Sequence, residues 1–260
     1  MCREGLWRQW GVKELFHKGC YMDAVRQMRA LICVFVVAIF FAEYWTVYTF
    51  GPEVDCIGVN MRHVLLPLSL IYIVISPVLV MYIFRHQFTR AGSDCYHSLP
   101  IQRNSIFISY SVAILTVDAF LVLFGVLCAE LIVVLIYGSG RADNSMVLLT
   151  FGWYMAATVY TMSAMLLSLS ISGTRTMVLC FYMLFFMILL QLMRLWNDIN
   201  IMEILQTLFL NGVFIAIAYV LNGKRASETT GHMVFKRFYY VIMVPLIIVA
   251  IYVCIMAAKR

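Results

Sequence analysis

Seven apolar blocks, near residues 30–50, 64–84, 106–137, 146–169, 177–193, 204–221 and 238–257, run almost end to end through this sequence. A helix rising ~1.5 Å per residue needs roughly 20 apolar residues to cross the hydrocarbon of a bilayer. Backbone polar groups in lipid must be satisfied within the segment, so blocks of this kind fold as helices. The third block exceeds what one crossing needs, which predicts tilt or a first turn lying at the interface. The fifth is near the short limit, and the stretch 195–202 after it reads as an interfacial or re-entrant turn.

Composition agrees: 63% of the 260 residues are hydrophobic and 12% charged, about half the charge of an ordinary soluble domain. The expected fold is therefore all-α, a polytopic transmembrane helical bundle of about seven spans embedded in a lipid bilayer. The net charge of +6 does not point to nucleic acid, because the basic residues sit in short segments between apolar blocks. With the N-terminus inside, 14 Lys and Arg residues fall on the cytoplasmic side and 5 outside. By the positive-inside rule this places the N-terminus in the cytoplasm and, after seven spans, the C-terminus outside. The expected divisions are an N-terminal interfacial segment 1–29, a six-span core 30–222 with a cytoplasmic loop at 85–105, a cytoplasmic linker 223–237 and a seventh span 238–260. Leu6, Trp7, Trp10, Leu15 and Phe16, mixed with Arg8, Lys13 and Lys18, suit a helix in the headgroup layer. No cleavable signal peptide is expected ahead of the first block.

Catalytic signatures are missing from the sequence. It holds no G-x-x-x-x-G-K-[ST] phosphate loop, no H-E-x-x-H and no G-x-S-x-G, motifs whose spacing positions phosphate, zinc or a nucleophilic serine. The eight cysteines form no C-x-x-C pair, so neither a zinc site nor a disulfide framework is expected. The reading is a non-enzyme with no bound cofactor or metal. Among acidic residues within the blocks, Asp118 stands deepest, about 18 Å along its helix. A carboxyl at that depth faces a partner, a cavity or an ion path, or else serves as hydrogen-bonded packing glue. Glu43 and Glu130, near the outer ends of their blocks, are expected to reach water.

Two cytoplasmic segments are more distinctive. Around His97, Ser98, Leu99, Pro100, Ile101, Arg103, Ile106 and Phe107, apolar side chains give the loop an edge suited to a soluble partner or the membrane surface. Pro100 is suited to open a helix. After the sixth block, Gly223 can end the helix, and Lys224, Arg225, Ser227, Glu228 and Gly231 follow.

At these residues the sequence resembles a family. The run 94–107, with Asp94, Tyr96, His97, Ser98, Leu99, Pro100, Ile101 and Arg103, is similar to the D-x-Y-H-S-L-P-[IV]-x-R loop of Firmicutes-type ABC-2 permeases, membrane subunits of ATP-binding-cassette transporters. The run 224–231 is similar to their R-x-S-E-x-A-G segment, with Thr230 where the family has Ala. The resemblance implies a permease half in a bacterial plasma membrane, paired with a second permease half and coupled to a separate ABC ATP-binding subunit that binds the ATP. It implies a coupling helix over about 97–107 and places Arg225, Ser227, Glu228 and Gly231 at the same cytoplasmic interface. The rival expectations are a secondary transporter or channel that uses Asp118, and a non-transporting membrane sensor or anchor subunit.

Overall fold

The computed structural model describes residues 16–50, 61–89, 92, 101–137, 144–195 and 201–224, with no strand among them. Six helices are described: α1 (Lys18–Phe50), α2 (Met61–Ile83), α3 (Arg103–Tyr137), α4 (Asn144–Ile171), α5 (Arg175–Leu195) and α6 (Ile201–Lys224), with a 3-10 turn (Phe84–Phe88) closing α2. Four stretches, Lys18–Thr46, Ile71–Phe88, Arg103–Ile136 and Thr150–Ile171, are long and apolar enough to cross a membrane; Arg175–Phe186 and Thr207–Gly223 are apolar but shorter. The seventh block, most of the N-terminal segment and the linker after Lys224 lie outside the described residues.

Two helices are longer than their apolar blocks. α1 begins at Lys18, so the division drawn at residue 29 falls inside one continuous helix of 33 residues, about 50 Å long. Its early Arg26 and Arg29 are exposed, as expected where a helix rises out of hydrocarbon into the headgroups. α3 is similarly long, 35 residues from Arg103. Gly223, expected to end the sixth helix, lies within α6, and its missing Cβ leaves room for Asn104, whose amide atoms stand 3.0–3.1 Å from where a Cβ would be.

Cross-helix contacts fix the directions. His17 meets Ser109 and Tyr21 meets Thr116, so α1 and α3 run the same way. Ser76 meets Asp118, and Phe84 stacks on Phe107, so α2 runs against them. The Arg175 guanidinium lies 5.7 Å from the Phe88 ring centre, and Asn104 faces Gly223. The starts of α1, α3 and α5 and the ends of α2 and α6 therefore share one end of the bundle. Lys18, Arg26, Arg29, Arg85, Arg103 and Arg175 belong to that end.

α4 is the hub. Of its most apolar stretch 94% is buried inside the bundle, against 17% for α1, and it packs on α2, α3, α5 and α6. Its small residues, Ala156, Ala157, Thr158, Thr161, Ser163 and Ala164, are all buried and let neighbouring backbones approach closely. Its buried serine and threonine hydroxyls are satisfied within the helix: Thr158, Thr161, Ser163, Ser168 and Ser170 each donate to a carbonyl three or four residues back. Ser163 also donates to Asn211 Oδ1 at 3.2 Å, joining α4 to α6. α1, by contrast, turns Val34, Val37, Phe41, Tyr44, Trp45 and Tyr48 outward, an apolar stripe at helical spacing suited to lipid. Its aromatic end resembles the belts found where a bilayer meets water.

Candidate functional site

Proline has no N–H, so Pro77 inside α2 leaves the Ile73 carbonyl without its helical donor. Tyr182 of α5 reaches across and donates its hydroxyl to that oxygen at 3.2 Å. The helix is thus interrupted internally and closed by a neighbour, and polar groups gather around the interruption.

Immediately before Pro77, Ser76 donates to Asp118 Oδ2 at 2.6 Å; both residues are fully buried. Asp118 Oδ1 has no hydrogen-bond partner among the described residues. One turn away along α2, Tyr72 points at Glu43 with a long contact of 3.5 Å. Its hydroxyl occupies the space where a side chain at Gly125 would begin, with Ile39 Cγ2 at 3.1 Å from the same point. Glycine is required there because any Cβ would displace Tyr72. The Tyr154 ring packs on Tyr72 with centroids 4.7 Å apart, and its buried hydroxyl has no partner among the described residues. α1 to α5 therefore each contribute a group to one buried polar region around α2: Glu43, Tyr72 and Ser76, Asp118, Tyr154 and Tyr182.

Glu43 corrects the sequence reading. Expected to reach water, it is 1% exposed. Depth along a helix does not say which face a residue occupies, and Glu43 falls on the face of α1 that packs inward. Glu130 is half-buried. Asp118 occupies the interior, as its depth suggested, with a serine as its partner.

The loop residues divide. His97, Ser98, Leu99 and Pro100, together with Arg225, Ser227, Glu228 and Gly231, lie outside the described residues. Arg103 is the first residue of α3 and is exposed. Ile101 is half-buried against the core, while Ile106 and Phe107 are core residues, 6% and 2% exposed. The expected apolar edge does not include these last two: Phe107 packs on Phe84 at 5.8 Å, and Phe84 meets Tyr110 edge-on at 5.7 Å. Phe107 and Phe84 thus pin the two helices that flank the loop to each other, and Arg175 over Phe88 ties α5 to the same point.

Sequence reasoning missed Tyr72, Ser76 and Tyr182. A signal for the last existed, since a proline within an apolar block announces a free carbonyl four residues earlier, but nothing local named its donor. Among the described residues no group of three His, Cys, Asp or Glu side chains could hold a metal ion. Comparison with known protein families, curated proteins and solved structures finds no match to this chain.

Proposed function

We propose that the chain is a permease subunit of the ABC-2 type, which moves a substrate across the bacterial plasma membrane by conformational change driven by a separate ATP-binding subunit. Its N-terminus faces the cytoplasm and a second permease half completes the pathway. The observation that carries this reading is the motif-bearing loop at 94–103 together with its attachment. The loop is framed by the Phe84–Phe107 contact, so a push on it is passed to α2 and α3 together. Rigid packing of this kind is what lets a partner's movement tilt helices as units. The basic residues gathered at the same end of the bundle agree with a cytoplasmic position for the loop. No chemical step falls to the chain; ATP is bound and hydrolysed by the partner.

The test is purification from the native membrane of the parent and of a His97→Ala, Leu99→Ser variant. Phe107 is left alone, because its replacement would open the core. An ATP-hydrolysing subunit that accompanies the parent and is lost from the variant is the expected result. A well-folded parent that brings down no such subunit overturns the reading.

A second reading, transport driven by an ion gradient, is favoured by one observation: Asp118 is wholly buried and, among the described residues, hydrogen-bonds to a serine hydroxyl alone. It predicts transport that persists without ATP and stops in Asp118→Asn, measured in vesicles under an imposed gradient.

A further inference from the structure

α2 and α5 both pack on α4 and reach each other through long side chains. Tyr182 donates to the Ile73 carbonyl, and the Arg175 guanidinium lies over the Phe88 ring, so the two helices run antiparallel. Successive residues step about 100° around a helix. On α2, Tyr72 packs on Tyr154 of α4, Ile73 offers its carbonyl to α5, and Val74 is exposed. On α5, Phe181 is buried one turn before Phe185, whose carbonyl accepts from Tyr160 of α4; Tyr182 then meets α2 and Met183 is exposed. The order is the same on both helices: toward α4, toward each other, outward. Because they are antiparallel, their outward rows emerge on one side and flank a groove backed by α4. The α2 row is Val74, Val78 and Arg85, and the α5 row is Arg175, Leu179 and Met183, all exposed. Each row is apolar in the middle and ends in an arginine at the basic end of the bundle.

We propose that this groove holds an anionic phospholipid, its chains along Val74, Val78, Leu179 and Met183 and its phosphate at Arg85 and Arg175. The rise from Val74 to Arg85 is about 16 Å, close to half the hydrocarbon thickness of a bilayer. A lipid of one leaflet lying along the row therefore brings its headgroup to the arginines. Neither guanidinium pairs with a carboxylate among the described residues. Each lies over a ring instead: Arg85 is 4.9 Å from the centre of Tyr82 and Arg175 is 5.7 Å from that of Phe88, within the reach of a cation–π contact. Tyr82, Arg85 and Phe88 step by three into and through the 3-10 turn, a spacing that keeps side chains on one side. A cation held over a ring keeps its N–H donors for a charged acceptor, and the fork of a guanidinium matches phosphate oxygens. Unpaired positive charge selects a lipid of net negative charge over a zwitterionic one, which carries its own cation. The site rests on the chain being embedded in a bilayer and not on its being a permease.

The test is native mass spectrometry of the delipidated protein titrated with dioleoyl phosphatidylglycerol and, separately, with dioleoyl phosphatidylcholine. The parent is expected to take up one phosphatidylglycerol well before any phosphatidylcholine. Arg85→Gln with Arg175→Gln is expected to weaken that uptake by about thirtyfold, the weight of two arginines at a membrane surface. Arg26→Gln with Arg29→Gln removes the same charge from exposed positions of α1 at the same end of the bundle and is expected to leave the uptake nearly unchanged. Glycerol phosphate, which has the charge without the chains, is expected not to displace the lipid. Circular dichroism confirms the helices in each variant. Equal uptake of the two lipids, or equal losses in the two double variants, refutes the site and leaves only a general attraction of the basic helix ends. Displacement by glycerol phosphate refutes the part given to the apolar rows. Phosphatidylglycerol uptake that persists in Arg85→Gln, Arg175→Gln overturns the proposal, and loss of a co-purifying ATP-binding subunit from that variant would assign the two arginines to a protein partner.

Discussion

The Ile73 carbonyl and the Tyr182 hydroxyl depend on each other because Pro77 removed the ordinary donor. Tyr182→Phe is expected to destabilise the bundle by about 1 kcal/mol, in line with single hydrogen bonds in membranes. In a Pro77→Ala background the backbone supplies the donor again, so the same substitution is expected to cost much less. A double-mutant cycle read by denaturant unfolding checks this, and additive effects would show that the tyrosine does not serve the proline. Gly125 offers a second case. A methyl there collides with the Tyr72 hydroxyl, and overpacking of a tight contact costs about 1–3 kcal/mol. Gly125→Ala is expected to lower thermal stability, and Gly125→Ala with Tyr72→Phe to recover most of the loss.

Among the elements, α3 does the most varied work. Its first turns pack on the end of α2 through Phe107, its middle carries Asp118, and its length exceeds one bilayer crossing. Phe107→Ala removes a buried ring that packs on Phe84, and is expected to cost about 3–5 kcal/mol, seen as a lower unfolding midpoint. The exposed Arg103→Ala, two residues before the first buried residue of α3, is expected to lower that midpoint far less. This contrast separates residues buried in the frame from residues at its surface, a distinction that the motif alone does not make. α4 and α1 differ in the same way. The hydroxyls of α4 mostly bond to its own carbonyls, so its polarity serves close packing. α1 keeps a lipid-suited stripe on one face and Glu43 on the other.

For the whole molecule, the alternating helix directions put the basic helix ends together, and orientation becomes the property to measure. With single cysteines introduced in a cysteine-depleted chain, position 93 is expected to react with an impermeant reagent only from the cytoplasmic side. Position 140 is expected to react only from outside. The reverse pattern would overturn the proposed topology.

The sequence by itself determined the helical class and the presence of long apolar segments, four of which, among the described residues, are helices long and apolar enough to cross a membrane. The reason is that hydrocarbon length and backbone satisfaction act on each segment alone. It also marked Asp118, because a carboxyl so deep in an apolar block is costly wherever its partner lies. It could not tell that Glu43 faces inward, that Phe107 belongs to the core, or that Tyr182 completes α2. A nearly uniform apolar helix gives little sign of which face is lipid and which is protein, since both are hydrophobic. Those assignments depend on how the helices rotate and cross, and only the packing of α1 to α5 around the Pro77 interruption decided them.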